Sequence, residues 1–170
     1  MIIDLANVGI TAKTIELTFD PAEIDLEGEI VTLTGQTLFS GEIERAETRV
    51  LLRGAIKTNV LLDCTRCLDK IARHLDFPFR AIFLDSRDET TTADTEVGDD
   101  ALDESVAEGG RVEMAEVVRE QILLAVPAQI FCREDCKGLC PKCGTSLNLI
   151  DCKCADDEID PRWAALKNLK

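Results

Sequence analysis

The cysteines of this 170-residue chain constrain its fold more than any other feature, because six of the eight lie within residues 132–154. The other two, Cys64 and Cys67, form a C-x-x-C unit after an apolar run. The N-terminal segment lacks a basic stretch followed by a long apolar one, so we expect no secretory signal and a cytoplasmic location. In that reducing setting, clustered cysteines are typical of metal ligands or redox groups rather than of a disulfide framework.

The segment Cys140-Pro141-Lys142-Cys143-Gly144 has the form of a zinc knuckle. Two thiolates three positions apart can bind one ion, because a tight turn directs backbone N–H groups at their sulfurs. Proline after the first cysteine stiffens that turn, and glycine after the second permits the positive φ that the turn needs. Because Zn²⁺ prefers four sulfur or nitrogen ligands in a tetrahedron, the knuckle requires a second pair of ligands.

The chain offers three candidate second pairs for this knuckle. The loop between the knuckle and the last two cysteines is short, which favours a local site formed by Cys140, Cys143, Cys152 and Cys154. A second site would combine Cys64, Cys67, Cys132 and Cys136 and would hold the C-terminal part of the chain against the sheet. We therefore predict one or two structural zinc ions. An iron–sulfur cluster, reducible disulfides and a redox-active thiol pair are the alternatives that the spacing leaves open.

The sequence contains no recognisable motif for catalysis. It has neither H-E-x-x-H nor H-x-E followed by P-C-x-x-C, and neither G-x-S-x-G nor a glycine-rich phosphate loop. His74 is the only histidine, and a strand surface is its expected place. No run of about 18 apolar residues occurs, so we expect no contact with a membrane. These observations predict a protein that is not an enzyme and that has no small-molecule substrate.

Residues 1–84 are predicted to form a mainly β domain, because apolar and polar residues alternate over several short runs. Successive strands without intervening helices favour an antiparallel sheet or a small open barrel in an α+β protein. Ser40-Gly41 is typical of a turn, and Gly54 is expected to form a turn or bulge between two runs. Pro78 favours an edge position, since proline donates no hydrogen bond to a neighbouring strand.

Residues 85–110 hold ten acidic residues and one basic residue, which accounts for −9 of the formal charge of −14. So few apolar side chains cannot offset the entropy of ordering, which predicts an acidic, disordered loop. Residues 111–127 have the periodicity of a helix packed on the sheet, and Pro127 ends the pattern. Residues 128–170 are predicted to form the zinc lobe, which ends in a short helix that begins near Asp160.

The acidity of the chain argues against a protein that coats nucleic acid, since phosphate binding relies on clustered lysine and arginine. The regions that carry the motifs are nevertheless near neutral, and they could present a small patch that contacts RNA or a protein partner. We assign to this patch Arg66, Lys137, Lys142, Lys153, Arg162 and Trp163. The competing interpretation is that Trp163 packs the terminal helix onto the core while the lysines keep the protein in solution.

Five motifs of the chain occur together in one known family. They are Cys64-Thr65-Arg66-Cys67-Leu68, Glu120 to Pro127, CKGLCPKCGTSLN from Cys136 to Asn148, Cys152-Lys153-Cys154, and Asp160 to Leu166. They span most of residues 60–166, and the chain resembles the YceD family, the large ribosomal RNA subunit accumulation proteins. The resemblance implies a non-enzymatic bacterial ribosome-biogenesis factor that supports accumulation or processing of 23S ribosomal RNA. It implies precursor large-subunit rRNA or large-subunit ribosomal proteins as partners.

Two other functions fit the residues taken alone. A thiol redox or metal-handling protein would use the cysteine pairs, although the βαβ pattern of a thioredoxin-type motif is missing. A zinc-ribbon adaptor in transcription would use the cysteine-rich lobe to bind a polymerase. Metal content and thiol reactivity distinguish the redox protein from one with structural zinc.

Overall fold

The computed structural model describes residues 1–26, 30–47, 49–85 and 104–154. Within these ranges the chain forms eight strands and one α-helix. The strands are β1 Ile2–Asp4, β2 Lys13–Phe19, β3 Val31–Leu33, β4 Thr37–Ala46, β5 Arg49–Asp63, β6 Lys70–Asp85, β7 Glu104–Ala107 and β8 Arg111–Glu113, and the helix is α1 Met114–Ala125. The prediction of a mainly β protein with a helix after the strands is confirmed. In the described ranges, no helix has both the length and the apolar character needed to cross a membrane.

Six of the strands form one sheet around the long hairpin of β5 and β6. The order is β2-β4-β5-β6-β7, and β3 pairs with β5 beyond the end of β4. The β6–β7 pair is parallel and the other pairs are antiparallel, so the sheet is mixed. β1 and β8 form a separate two-stranded sheet. Among the strands that the structure describes, no pairing joins β2 to β7, so the large sheet is open rather than closed.

The burial pattern of β5 explains why this segment is a strand with one face in the core. Its even-numbered side chains are buried from Val50 to Leu62, with the exception of Gly54, while Arg53, Lys57 and Asn59 are exposed. A period of two matches the alternation of side chains along a strand. The one buried hydroxyl of the strand, on Thr58, lies 2.8 Å from the hydroxyl of Thr37 and is therefore hydrogen-bonded.

The turn predicted at Ser40-Gly41 and the turn or bulge predicted at Gly54 are wrong. Gly41 and Gly54 lie inside β4 and β5, opposite each other in the strand register. A Cβ atom on Gly54 would lie 2.3 Å from the carbonyl oxygen of Ser40, and one on Gly41 would lie 2.9 Å from the Phe39 ring. That ring packs edge-on against Phe79, with 5.9 Å between the centroids. The two glycines thus allow close strand contact and leave room for a buried aromatic ring.

The helix begins at Met114, later than its predicted start at residue 111. Arg111–Glu113 pair instead with Ile2–Asp4 as β8, because the N-terminal strand offers them backbone partners that the sequence pattern does not reveal. The buried residues of α1 form one face, which contacts β6 and β8: Met114, Ala115, Val118 and Ile122.

The region predicted as an acidic loop, residues 85–110, differs from the prediction at both ends. Asp85 closes β6, and Glu104–Ala107 form β7 alongside it, followed by a 3-10 turn at Glu108–Gly110. The Glu104 carboxylate lies 2.7 Å from the Arg49 guanidinium and has 8% side-chain exposure. Backbone pairing and this ion pair stabilise a segment whose composition alone predicts disorder. Residues 86–103, the rest of the predicted loop, lie outside the described residues.

The chain divides into two compact units. Unit 1 contains Met1–Asp63 and Lys70–Ala128, and unit 2 contains Cys64–Asp69 and Gln129–Lys170. All eight cysteines belong to unit 2, because the connection between β5 and β6 contributes Cys64 and Cys67. The helix predicted near Asp160 lies outside the described residues.

The Gly41–Gly54 contact generates a prediction for stability. Gly54→Ala should lower the free energy of unfolding by about 3 kcal/mol, since the added methyl group would overlap backbone atoms that cannot move independently. Gly35→Ala is the matched control, because a Cβ atom there would meet nothing closer than 4.0 Å; it should change stability by less than about 1 kcal/mol. Urea unfolding of both variants checks the difference, and equal midpoints would contradict the close packing.

Candidate metal centre

The structure brings the cysteines of unit 2 together in two groups of four. Cluster 1 consists of Cys64, Cys67, Cys132 and Cys136, and cluster 2 consists of Cys140, Cys143, Cys152 and Cys154. In each cluster the four sulfur atoms all lie within 4.8 Å of one another. Cluster 1 is buried except at Cys132, whereas Cys143 and Cys154 of cluster 2 are exposed. Cluster 2 is the set that the short loop between its cysteines favours, and cluster 1 is the set considered from the sequence as a possible second site.

Each cluster is built on a turn with the same backbone hydrogen bonds. The N–H of Leu68 donates to the Cys64 carbonyl at 2.9 Å, and the N–H of Gly144 donates to the Cys140 carbonyl at 2.9 Å. The residue after the second cysteine has a positive φ in both turns, 62° at Leu68 and 72° at Gly144. The C-T-R-C and C-P-K-C segments are therefore two copies of one knuckle. The C-T-R-C knuckle is hard to recognise in the sequence, because Leu68 occupies the position where glycine is expected.

The distances between sulfurs match a tetrahedral metal site. Zinc–sulfur bonds of about 2.3 Å in a tetrahedron place sulfurs about 3.8 Å apart. The Cys64–Cys136 and Cys67–Cys132 sulfurs are 3.8 and 3.6 Å apart. In cluster 2 the Cys143–Cys152 and Cys140–Cys152 separations are both 3.4 Å. All eight cysteines are free, and these separations are far longer than a disulfide bond of about 2.05 Å.

Cysteines supply most of the buried side chains in the described part of unit 2. Among its described residues, Ile130 is the one buried apolar side chain that is not a cysteine, with 9% exposure. Four cysteines occupy the rest of the buried interior: Cys64, Cys67, Cys136 and Cys140. Small units whose buried side chains are largely cysteines commonly depend on a metal or on disulfides. The two clusters could hold metal ions in that role.

Hydrogen bonds lower the pKa of Cys64 in cluster 1 and of Cys143 in cluster 2. Burial raises the pKa of Cys64. Hydrogen bonds from the backbone N–H groups of Cys67, Arg66 and Cys132 together outweigh burial and lower this pKa to about 6. The hydroxyl and backbone N–H of Thr145 lower the pKa of Cys143 to about 6. Each cluster therefore already favours one thiolate near neutral pH.

The neighbouring sulfurs resist a second negative charge. The adjacent sulfurs of Cys152 and Cys143 raise the pKa of Cys154 to about 12. Burial is the main reason that the pKa of Cys132 is also raised. A cation that replaces the remaining protons removes this repulsion, and binding is then coupled to proton release.

The two knuckles differ in the side chain beside their second cysteine. In cluster 1 the Cys67 sulfur lies 3.1 Å from a carboxylate oxygen of Asp69, and in cluster 2 the Cys143 sulfur lies 3.4 Å from the hydroxyl of Thr145. A hydroxyl can donate a hydrogen bond to a thiolate, whereas a carboxylate places a second negative charge beside it. The clusters are therefore alike in backbone but unequal in electrostatics.

Asn148 and Gly138 support cluster 1, although sequence reasoning gave neither of them a role. The Asn148 amide donates to the Cys136 sulfur at 3.3 Å and accepts from the Lys137 N–H at 2.8 Å. The first of these bonds lowers the pKa of Cys136. Gly138 has a φ of 77°, and a Cβ atom there would lie 2.9 Å from the Arg66 carbonyl oxygen. Both residues belong to the CKGLCPKCGTSLN run, and this motif is the sequence signal from which their role could have been predicted.

Arg66, assigned by sequence to a contact patch, is engaged inside unit 2. Its guanidinium donates to the carbonyls of Cys136 and Glu134 at 2.9 and 3.3 Å, and it lies 4.0 Å from the centre of the Phe131 ring. Its own carbonyl accepts from the N–H of Leu139. These contacts join the first knuckle to the loop that carries Cys132 and Cys136.

The other residues assigned to sites fall in different places. Lys137, Lys142 and Lys153 are exposed on unit 2. Arg162 and Trp163 lie outside the described residues. His74 is exposed on β6, where its Nδ1 is 3.0 Å from the Asn59 side-chain oxygen.

The contacts of Arg66 generate a prediction for unit 2. Arg66→Lys keeps the charge but loses the planar group that bonds two carbonyls and covers a ring, at a cost of about 1–2 kcal/mol. Amide hydrogen exchange in residues 129–139 should become about tenfold faster. Arg133→Lys is the control, because Arg133 is exposed and forms one ion pair with Asp135 at 3.4 Å. Equal exchange in the two variants would contradict this role.

Comparison with known proteins places the chain among ribosome-related sequences. Residues 52–170 match the family described as Large ribosomal RNA subunit accumulation protein YceD. An uncharacterized protein of Mycobacterium tuberculosis is 27% identical over 172 residues, which cover 98% of this chain and 79% of that protein. The uncharacterized protein YlbN of Bacillus subtilis is 29% identical over 154 residues, with 83% and 85% covered.

A plant protein carries a more informative name. The chloroplastic large ribosomal RNA subunit accumulation protein YCED homolog 1 of Arabidopsis thaliana is 24% identical over 152 residues, which cover 77% of this chain and 47% of that protein. No solved structure matches the chain. The family match takes in both knuckles and most of the sheet hairpin, so the resemblance in sequence is confirmed, and the chain belongs to the YceD family of large ribosomal RNA subunit accumulation proteins.

Proposed function

We propose that this protein is a cytoplasmic, non-enzymatic factor in biogenesis of the large ribosomal subunit that supports accumulation or processing of 23S ribosomal RNA. The observation that carries the proposal is the family match over residues 52–170, which includes all eight cysteines. The chloroplast relative named for large ribosomal RNA subunit accumulation supports the same role.

Zinc fills both clusters in this proposal, with Cys64, Cys67, Cys132 and Cys136 as one ligand set and Cys140, Cys143, Cys152 and Cys154 as the other. The all-thiol donor set and the sulfur separations support zinc over harder cations. Sulfurs this close enclose a single ion rather than a cluster with its own sulfides. An ion with four protein ligands contributes folding energy and leaves no open position for a substrate, so its role is structural.

The charge of unit 2 favours a protein partner over direct contact with the phosphate backbone. Residues 64–69 and 129–154 carry five basic and four acidic side chains. Two four-thiolate zinc sites add −2 each, so the formal charge of this part is −3. A negative lobe gains little from phosphates but can bind a basic protein. We propose that the exposed Lys137, Lys142 and Lys153, with Arg162 and Trp163, contact a large-subunit ribosomal protein.

Ribosome profiles of a deletion strain test the proposed function. Loss of the chain should lower mature 23S relative to 16S ribosomal RNA and reduce 50S particles in a sucrose gradient. Expression of the intact chain should restore both, whereas a Cys140→Ser, Cys143→Ser double variant should not, because cluster 2 then loses two ligands. Normal 23S and 50S levels in the deletion strain would refute the function.

The zinc sites generate a second prediction, based on the difference between Asp69 and Thr145. Purified protein should hold two zinc ions, measured by elemental analysis. Thr145→Asp should lower the affinity of cluster 2 for zinc about 10–100-fold, because a carboxylate replaces a hydroxyl beside a bound thiolate. Asp69→Thr should raise the affinity of cluster 1. Competition with a chelator of known affinity measures both changes.

Thr145→Val is the matched control for these variants, since it removes the hydroxyl without adding charge. In this variant, the affinity of cluster 2 for zinc should lie between that of the unmodified protein and that of Thr145→Asp. Protein that holds no zinc and whose thiols react freely would favour the redox function instead.

A further inference from the structure

The free edge of β2 borders a cavity in unit 1 that the proposed function does not use. The cavity has a volume of about 490 Å³. Residues Met1–Asp4 and Asn7–Gly9 line it on the N-terminal side, and Lys13–Leu17 of β2, with Ile43 of β4, line the rest. β1 pairs with β8 and β2 pairs with β4, so each of these two strands has a second edge without a partner among the described residues. The cavity is therefore bordered by two incomplete strand edges.

The β2 edge lacks two of the devices that usually block strand addition, shortness and proline, and its charged side chains are those of Lys13 and Glu16. It is seven residues long and contains no proline, whereas long exposed edges are normally shortened, charged or interrupted by proline. β6 provides a contrast within the same sheet. Before it pairs with β7 at Ile82, β6 carries Pro78, which donates no hydrogen bond. An unblocked edge presents a row of backbone donors and acceptors, which an extended polypeptide can satisfy.

The side chains of β2 indicate what such a polypeptide would carry. Lys13–Leu17 all border the cavity, and within this stretch Ile15 and Leu17 are partly buried whereas Thr14 and Glu16, like Thr18 beyond it, are exposed. A pairing strand would place apolar residues opposite Ile15 and Leu17, and polar residues opposite the exposed side chains that alternate with them. Glu16 stands at the middle of the strand and is exposed, so a basic residue directly opposite Glu16 is favoured.

A second copy of the chain is a poorer occupant. Antiparallel pairing of β2 with its own copy about the strand centre would place Glu16 directly opposite Glu16. Like charges directly opposite each other destabilise a strand pair. A heterologous segment with lysine or arginine at that position avoids this cost.

We propose that the β2 edge and its cavity bind an extended, basic segment of a partner protein by strand addition, with apolar side chains inserted between β1 and β2. The partner strand pairs with Lys13–Phe19, and its central cation faces Glu16. This surface belongs to unit 1 and is independent of the zinc clusters.

A synthetic peptide in which valine alternates with lysine and threonine tests the proposal on the full chain. Binding, measured by calorimetry, should slow amide hydrogen exchange in Lys13–Phe19. Replacement of a valine next to the central lysine by proline should abolish binding, because proline cannot complete the pairing. A scrambled peptide that clusters its valines should bind at least tenfold more weakly. Equal binding of all three peptides, or protection confined to other residues, would overturn the proposal.

Charge exchange provides the second arm of the test. Glu16→Lys should weaken binding of the basic peptide about fivefold to tenfold, and a peptide with glutamate in place of lysine should restore it. Glu120→Lys on α1 makes the same change in net charge away from the edge and should leave binding unchanged. Equal losses in the two variants would show a general charge effect and would refute the site. Protection of β2 by dimerisation of the chain without peptide would also refute it, in favour of a second copy.

Discussion

Mutual repulsion among closely spaced thiolates is the constraint on which unit 2 depends. Sulfurs 3.4–3.8 Å apart are stable only when protons or a cation neutralise them. Hydrogen bonds from backbone N–H groups in cluster 1, and from the Thr145 hydroxyl and backbone in cluster 2, lower the pKa of Cys64 and Cys143, while neighbouring sulfurs raise the pKa of Cys154. Ile130 is the one other buried apolar residue among the described residues of this unit, so cysteine side chains make up most of its described interior. A bound ion would therefore contribute to folding rather than modify a fold that already exists.

In the large sheet, the close packing of β4 against β5 depends on two glycines, Gly41 and Gly54. Phe39 occupies the space above Gly41, and the β4 and β5 backbones approach too closely at the two glycines for any side chain. Alternation along β5 then buries one face from Val50 to Leu62. β5 ends at Asp63, and the next residue, Cys64, begins a knuckle. The short connection that carries Cys64 and Cys67 therefore belongs to unit 2, although the strands on either side of it belong to unit 1.

Several features of this fold could be read from the sequence because they depend on local chemistry. Alternation predicted the strands, Pro127 predicted the end of the helix, and the short loop between Cys143 and Cys152 favoured the grouping of cluster 2. Errors arose where a distant segment competed with a local preference. Glycine in β4 and β5 is typical of a turn until a facing strand and an aromatic ring require the missing side chain. Arg111–Glu113 follow a helical period, yet pairing with the N-terminus makes them a strand.

The sequence by itself determined the C-P-K-C knuckle, the mainly β character and the resemblance to the YceD family, because each follows from residue types at fixed, short spacing. Only the tertiary structure decided that Cys64 and Cys67 meet Cys132 and Cys136, that Leu68 takes the place of a glycine, and that the Arg66 guanidinium lies over the Phe131 ring. The cysteine contacts and the Arg66–Phe131 contact join residues more than 60 positions apart, and no local period or propensity specifies them. The unpaired edge of β2 is likewise a property of the assembled sheet, since a strand acquires an edge only when its neighbours are known.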